Sequence, residues 1–219
     1  MSRWLRKLWN ENKSLVVFIS LMLVFRSAVA DWNDVPTGSM KPTIVEGDRI
    51  LVNKMAYDLR LPFTHISLLK IADPQVGDII IFDSEVAEKK LVKRVIGTPG
   101  DIISMVDNVL SINGHPLPYR DTKNNEIPEG YQEHIEQLNS VNHVIRINKQ
   151  GSQLSNFNAV TVPKGYYLAL GDNRDNSADS RVIGFVPRNE IVGRSQNVVL
   201  SLDYENYLLP RAERFFHSL

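Results

Sequence analysis

The pattern of hydrophobic and polar positions along this chain changes once, near residue 31. Residues 15–25 are apolar except for Ser20, and a basic stretch within residues 1–13 precedes them. Beyond residue 33 the apolar residues come in short runs, separated by glycine, proline and asparagine. This pattern predicts a membrane-related first segment and then a domain built mainly of β-strands.

The predicted strands share β-branched or aromatic residues bounded by turn residues, and they cover residues 49–54, 78–82, 90–96, 101–106, 109–112, 159–162, 166–170, 191–192 and 197–202. Asn113 and Gly114 form a strong signal for a tight hairpin turn. Short strands at nearly regular spacing favour an all-β architecture of barrel-like or sandwich type.

The apolar segment allows two interpretations. As a helix, residues 15–25 would cover about 16 Å, roughly half of a bilayer core, and extension to Trp32 approaches a full span. The segment is either a retained anchor with its basic end in the cytoplasm, or a cleavable signal that ends at Ala28-Val29-Ala30. Both interpretations place residues 33–219 beyond the membrane.

Two further segments differ from the strand pattern. Residues 119–158 are polar and rich in Asn, Gln and Glu, which indicates an insertion or small subdomain with some mobility. The tail at residues 206–216 mixes aromatic and basic residues. We expect the tail to dock on the domain, with contact to a membrane surface as the alternative.

Composition excludes several classes of function. Lys plus Arg equals Asp plus Glu, 25 each, and a net charge of zero argues against nucleic-acid binding. The chain has no cysteine, which excludes disulfides, thiolate catalysis and cysteine-based zinc sites. Its five histidines do not follow a metal-binding spacing, so we expect neither a metal nor a cofactor.

Lys93 is a candidate general base. Strand alternation places Lys93 on one face with Leu91 and Val95, and Arg94 on the other. Apolar surroundings lower the pKa of a lysine, and a neutral amine can then accept a proton near pH 7. An arginine guanidinium stays protonated and cannot take this role.

Ser39, in the run of residues 37–43, is the matching candidate nucleophile. A serine hydroxyl needs a base before it attacks a carbonyl. The amide of Ser39 and the hydroxyl of Thr37 would together bind the oxyanion that forms. In the third polar run, residues 171–181, Ser177 or Ser180 could orient the lysine. The charged residues of that run, with Arg94, suit an ion-pair network: Asp172, Arg174, Asp175, Asp179 and Arg181.

These runs resemble the signature boxes of type I signal peptidases, the bacterial membrane-anchored Ser-Lys endopeptidases. Residues 37–43 are similar to the nucleophile box, 47–54 to the strand box after it, and 93–101 to the lysine box. Residues 171–187 match the last box almost letter for letter. The resemblance covers about residues 31–200.

The resemblance implies Ser39 as nucleophile and Lys93 as general base. It implies that Ser177 orients Lys93 and that Asp179 and Arg181 form a supporting pair. Thr37 occupies the oxyanion position where many members have serine. The implied reaction is the removal of signal peptides from exported precursors after Ala-x-Ala sites, with the substrate bound as an added β-strand. The residues implied for its side-chain pockets are Val35, Met40, Ile44, Leu91 and Val92.

The implied fold is a mainly β, barrel-type catalytic domain with an inserted small subdomain and one N-terminal transmembrane helix. Its expected divisions are a cytoplasmic basic segment (1–13), an anchor (14–32), a catalytic domain (33–100 and 159–219) and an insertion (101–158). We expect a monomer in the bacterial inner membrane, with exported precursors and the lipid bilayer as partners and the catalytic domain on the outer face.

Two rival functions are weighed against this one. A self-cleaving Ser-Lys protease of the related repressor type would normally carry a DNA-binding helix-turn-helix, and the anchor-like segment counts against it. An anchored β-domain that only binds partners would leave the set of Ser39, Lys93 and Ser177 unexplained.

Overall fold

The computed structural model describes residues 3–122 and 127–219. Residues 1–2 of the predicted basic segment and residues 123–126 of the predicted insertion lie outside the described residues. The chain begins with a long helix, and strands make up most of the domain after it.

Helix α1 spans Arg3–Ala28, so it runs through the predicted boundary at residue 13 without a break. Its apolar side chains from Leu15 to Phe25 are exposed, at 41–65% each. Within residues 3–122 and 127–219 no helix has both the length and the apolar character needed to cross a membrane. The helix ends at Ala28, two residues after Arg26, and residues 30–32 of the segment predicted as an anchor over 14–32 belong to a strand.

Seventeen strands and one short helix come after α1 among the described residues. Strands of the first half are β1 (Ala30–Asp34), β2 (Asp48–Asn53), β3 (Asp58–Arg60), β4 (Ser67–Lys70), β5 (Ile79–Ser84), β6 (Lys89–Gly97), β7 (Ile102–Val106), β8 (Val109–Ile112) and β9 (His115–Pro116). Those of the second half are β10 (Tyr119–Asp121), β11 (Tyr131–Leu138), β12 (Val141–Asn148), β13 (Phe157–Thr161), β14 (Tyr166–Leu170), β15 (Val186–Pro187), β16 (Ile191–Asp203) and β17 (Leu209–Pro210). The short helix is α2 (Ser180–Ile183).

The largest sheet has eight strands in the order β1-β2-β16-β5-β6-β14-β15, with β17 added beside β16. The path has two free ends, so the sheet does not close into the predicted barrel. The mainly β prediction is confirmed. Strands β5 and β6, at the centre of the sheet, carry buried aliphatic side chains, which fixes the position of anything attached to β6.

The predicted strands are found within one or two residues of their expected bounds. The two runs predicted at 191–192 and 197–202 form one continuous strand, β16. The Asn113-Gly114 turn joins β8 to β9, and both residues have positive φ, 54° and 81°. The C-terminal tail docks along β16 as expected: β17 pairs with it, and the Val198 amide donates to the His217 carbonyl at 2.8 Å.

The chain between β6 and β14 forms two smaller sheets. One has the order β13-β7-β8-β9, and the other has the order β10-β11-β12. Ile103, Met105 and Leu138 of these sheets share a buried cluster with Ile96 and Leu168 of the large sheet. The predicted insertion therefore packs against the large sheet through a common apolar core.

Candidate active site

Ser39 lies in a short 3-10 turn, Gly38–Met40, which comes after β1 and a three-residue connection. Thr37 precedes the turn in extended conformation, with φ −134° and ψ 151°. Met40 is almost completely buried, so its side chain anchors the turn in the core beneath. The turn thereby presents the half-exposed Ser39 at the surface of the large sheet.

Lys93 projects from the middle of β6. It pairs across the sheet with Ile80 of β5, and it shares its face with Leu91 and Val95, both of which belong to a buried apolar cluster. The side chain of Lys93 is only 2% exposed. The strand face predicted from alternation is therefore the face observed.

The amine of Lys93 meets the hydroxyl of Ser39. Lys93 Nζ lies 2.8 Å from Ser39 Oγ and donates to the carbonyl of Val92, also at 2.8 Å. Burial disfavours the ammonium form and lowers the pKa of Lys93 from 10.5 to about 8, although the charges of Asp179 and Asp172 act in the opposite direction. The pair has the geometry of a nucleophile and its base.

A buried ion pair lies on the far side of β6 from Lys93. Arg94 makes a two-pronged contact with Asp172, at 2.9 and 2.8 Å, and donates to the Gly77 carbonyl. The hydroxyl of Thr43 donates to the same carboxylate at 2.5 Å. Since Thr43 is four residues after Ser39, this network ties the segment after Ser39 to β6 and to the loop after β14.

Asp179 and Arg181 form the predicted pair. Arg181 Nη2 lies 2.6 Å from Asp179 Oδ2, and Arg181 also donates to the carbonyls of Leu154 and Arg174. Asp179 accepts from the Gly171 amide at 3.0 Å, which fastens the two ends of the loop together. Their effect on the site is therefore to shape the loop, because their hydrogen bonds join Gly171, Leu154 and Arg174 to this pair.

Ser177 is buried beside the site. Its hydroxyl has no hydrogen-bond partner among the described residues, so the expected bond to Lys93 is not made here. A Cβ added to Gly171 would collide with the hydroxyl of Ser177 and with the carbonyl oxygen of Ser39. Ser177 thus lies close to the backbone of Ser39, and its orienting role stays a prediction.

A cleft of about 420 Å³ runs along the surface to Ser39 and Lys93. Four of the five predicted pocket residues line it: Val35, Met40, Leu91 and Val92. Ile44 is fully buried in the apolar cluster below, together with Val35 and Met40, so it supports the floor without lining the cleft. Thr37 and Ser39 line both this cleft and a smaller one of about 200 Å³.

Residues 8–200 match the family model described as "Signal peptidase, peptidase S26". The chain belongs to the signal peptidase family. The resemblance to type I signal peptidases is thereby confirmed, as is the assignment to a type I signal peptidase, a hydrolase that removes signal peptides.

Named relatives agree with this membership. The chain is 36% identical to signal peptidase I of Pseudomonas fluorescens over 214 residues, and 36% identical to that of Pseudomonas aeruginosa over 207 residues. Each alignment covers 87% of this chain and 72% of the relative. A solved signal peptidase I from Enterococcus faecalis is 28% identical, with a TM-score of 0.36, over 57% of this chain and 98% of that one.

Two contacts at this signal peptidase's site are not predicted from the sequence: the partner of Arg174, which is Glu136, and the contact of Asn173 with the turn that carries Ser39. Arg174 pairs with Glu136 of β11 at 2.6 Å, where both side chains are fully buried, and no sequence pattern links positions so far apart. Asn173 contacts the nucleophile turn directly, with its side-chain amide on the Gly38 carbonyl at 2.9 Å. In the sequence, Asn173 is one of several polar residues in a predicted loop, and nothing distinguishes it from its neighbours. Its contact with the turn exists only in the folded structure.

Proposed function

We propose that this signal peptidase cuts its substrates with Ser39 as nucleophile and Lys93 as general base. The observation that carries the proposal is the 2.8 Å approach of Lys93 Nζ to Ser39 Oγ, combined with a Lys93 pKa of about 8. A lysine with that pKa is neutral in a useful fraction of molecules near neutral pH. Its lone pair then accepts the proton of the serine hydroxyl.

The reaction has two halves. Ser39 Oγ bonds to the carbonyl carbon while its proton passes to Lys93, and the C–N bond breaks as Lys93 gives that proton to the leaving amine. Lys93 then takes a proton from a water molecule that hydrolyses the ester, and the proton returns to Ser39. The Ser39 amide and the Thr37 hydroxyl stabilise the oxyanion formed in each half.

The substrate binds along β6 as an added strand. Residues 89–93 of β6 pair with β5 on one side, while β14 pairs only with the part of β6 from Arg94 to Gly97. The other edge of residues 89–93 therefore faces the cleft, opposite Val35 and Thr37. Backbone hydrogen bonds to this edge supply affinity, and the apolar floor suits the small side chains of an Ala-x-Ala site.

A cleavage assay tests the proposal. The full chain in detergent is given a synthetic precursor peptide with one Ala-x-Ala site, and the products are identified by mass spectrometry. We expect a single cut after the second alanine, and loss of cleavage in Ser39→Ala. Equal cleavage by wild type and Ser39→Ala, or no cleavage by either, contradicts the assignment of Ser39.

The proposed location is the bacterial inner membrane, where the enzyme contacts the lipid bilayer. It acts there as a monomer on exported precursors. The exposed apolar side chains of α1 support this, because a large apolar surface in water is unfavourable. Full chain mixed with lipid vesicles should float with them in a density gradient. Replacement of Phe18 and Leu21 by serine should weaken flotation, whereas serine at the equally exposed Val86 and Val182 should not. Equal flotation of both variants counts against contact through α1.

A further inference from the structure

Asn173 hydrogen-bonds the backbone of the nucleophile turn, the 3-10 turn Gly38–Met40. It lies at the start of a 3-10 turn, Arg174–Asn176, and is 3% exposed. Its side-chain amide donates to the Gly38 carbonyl at 2.9 Å, and its backbone amide donates to the Ser39 carbonyl at 3.1 Å. One residue therefore binds two successive carbonyls on either side of the Ser39 α-carbon.

The first of these bonds controls a catalytic donor. The Gly38 carbonyl and the Ser39 amide belong to one planar peptide unit, and in a trans unit they point in opposite directions. The only cis peptide bond of the described residues is Lys41–Pro42, so this unit is trans. Holding the Gly38 oxygen on the Asn173 side thus aims the Ser39 N–H away from Asn173.

Among the described residues, the Ser39 N–H donates no backbone hydrogen bond. It lies in the first turn of the 3-10 segment, where backbone amides have no carbonyl of the turn to donate to. The Lys41 amide also donates to the Gly38 carbonyl, at 3.1 Å, but this bond is internal to the turn and moves with it. The bond from Asn173 is the one that ties the peptide unit to the rest of the fold.

Asn173 is itself held in place by its neighbours. Asp172 is fixed by Arg94, Arg174 is fixed by Glu136, and Asn173 forms a parallel bridge with Arg146 of β12. Two buried ion pairs and a strand contact thus set the position of the Asn173 amide before any substrate arrives. An arrangement fixed in advance is what electrostatic stabilisation of a transition state requires.

We propose that Asn173 is a positioning residue that orients the Gly38–Ser39 peptide unit, so that the Ser39 amide points at the oxyanion. This inference rests on the proposed role of Ser39. Asn173 takes no part in proton transfer and does not contact the substrate. Loss of its side chain therefore weakens binding of the transition state more than binding of the substrate.

The test compares two buried asparagines. Asn173→Ala removes the bond to the Gly38 carbonyl. Asn108→Ala removes buried amide bonds to Ser155, in the turn after β12, and to Asp175, in the loop after β14, but no bond to the nucleophile turn. We expect Asn173→Ala to lower kcat by about 10- to 100-fold with KM changed less than about twofold, since a full oxyanion donor is worth ~10²–10³. Asn108→Ala should leave both values near wild type.

A second variant and a pH profile complete the test. Asn173→Asp keeps the size of the side chain but places a carboxylate oxygen against the Gly38 carbonyl, so kcat should fall further than in Asn173→Ala. In Asn173→Ala the pH dependence of the remaining activity should keep its midpoint, because this variant changes no charge near Lys93. Equal kcat losses in Asn173→Ala and Asn108→Ala, an effect on KM alone, or a shifted midpoint in Asn173→Ala would overturn the inference. Cleavage by Ser39→Ala would instead remove the proposed function on which it rests.

Discussion

The side chain of Lys93 is subject to two opposing electrostatic effects. Burial removes water from the amine and favours its neutral form, while the carboxylates of Asp172 and Asp179 favour the charged form. Burial is the larger effect, so the pKa falls from 10.5 to about 8. Arg94 pairs with Asp172 at 2.8 Å and Arg181 pairs with Asp179 at 2.6 Å. These two arginines partly neutralise the negative charge that the carboxylates place near Lys93.

The pH dependence of cleavage is set by this pKa. Only the neutral amine accepts a proton, so activity rises as the pH passes upward through the pKa of Lys93. We expect kcat/KM for a precursor peptide to increase about tenfold per pH unit below 8 and to level off above it. Initial rates between pH 5.5 and 10 would measure the curve. A flat profile, or a midpoint below pH 6, would contradict Lys93 as the base.

Removal of the amine should stabilise the fold. Below pH 8 the ammonium form is buried at a cost, because a shift from 10.5 to about 8 corresponds to about 3 kcal/mol. Lys93→Met should therefore be inactive but up to ~3 kcal/mol more stable at pH 7, and the difference should shrink as the pH rises from 8 to 10.5. Lys93→Arg, which keeps a permanent charge, should be inactive without this gain. Urea unfolding at several pH values measures the free energy of unfolding of both variants. A Lys93→Met protein that is less stable than wild type at pH 7 would contradict the predicted cost of burying the ammonium group.

At the scale of elements, the site depends on how closely the loop after β14 approaches the nucleophile turn. Gly171 follows β14 directly, at the point where the loop passes the Ser39 carbonyl and the Ser177 side chain. The colliding atom on the Ser39 side belongs to the backbone, which cannot move away without moving the nucleophile. The absence of a side chain at Gly171 therefore lets the end of β14 pack closely against the 3-10 turn that carries Ser39.

Gly171→Ala should damage catalysis more than stability alone explains. The new methyl group pushes the Ser39 backbone or Ser177 aside, and misplacement of reacting groups by about 1 Å can cost ~10²-fold. Gly165→Ala is the matched control at the other end of β14: its φ of 82° strains the backbone, but its Cβ meets nothing within 4 Å. We expect a kcat loss of at least about tenfold in Gly171→Ala only, from kinetics on folded protein. Equal kcat in the two variants would contradict the close-approach argument.

Elements with apolar alternation could be predicted from the sequence, and those without it could not. Strands β5, β6 and β14 carry runs of buried aliphatic residues, and simple alternation predicts the face of Lys93 correctly. Strand β11 lies in the segment predicted as a polar insertion, because its buried positions include Glu133 and Glu136, whose carboxylates pair with arginines brought there by the fold.

The same distinction applies to the site. Ser39 and Lys93 could be chosen because their chemistry is specific, and the fold places them 2.8 Å apart. The role of Asn173 depends on two hydrogen bonds to carbonyls more than 130 residues away in the chain. Bonds of that kind involve backbone groups, which every residue carries, so no residue type in the sequence marks them.

At the scale of the whole molecule, buried charged side chains connect the three-stranded sheet β10-β11-β12 to the loop that follows β14 of the large sheet. Glu136 of β11 pairs with Arg174 at 2.6 Å, and His143 of β12 lies 3.2 Å from Glu136 and 3.7 Å from Asp172. All these side chains are almost fully buried. The loop that holds Asn173 is therefore anchored partly by residues of the predicted insertion, so formation of the site requires that sheet to be folded.

Glu136→Gln tests this coupling. It leaves the guanidinium of Arg174 buried without an opposite charge, which typically costs about 3–5 kcal/mol. Glu46→Gln breaks the part-exposed pair with Lys41 and should cost about 1 kcal/mol or less. Urea unfolding at pH 7 compares the two free energies of unfolding, and peptide cleavage reports on the site. We expect Glu136→Gln to lose both stability and kcat, because its loss loosens the loop. Normal kcat in a strongly destabilised Glu136→Gln would mean that the three-stranded sheet supports the fold but does not position the catalytic loop.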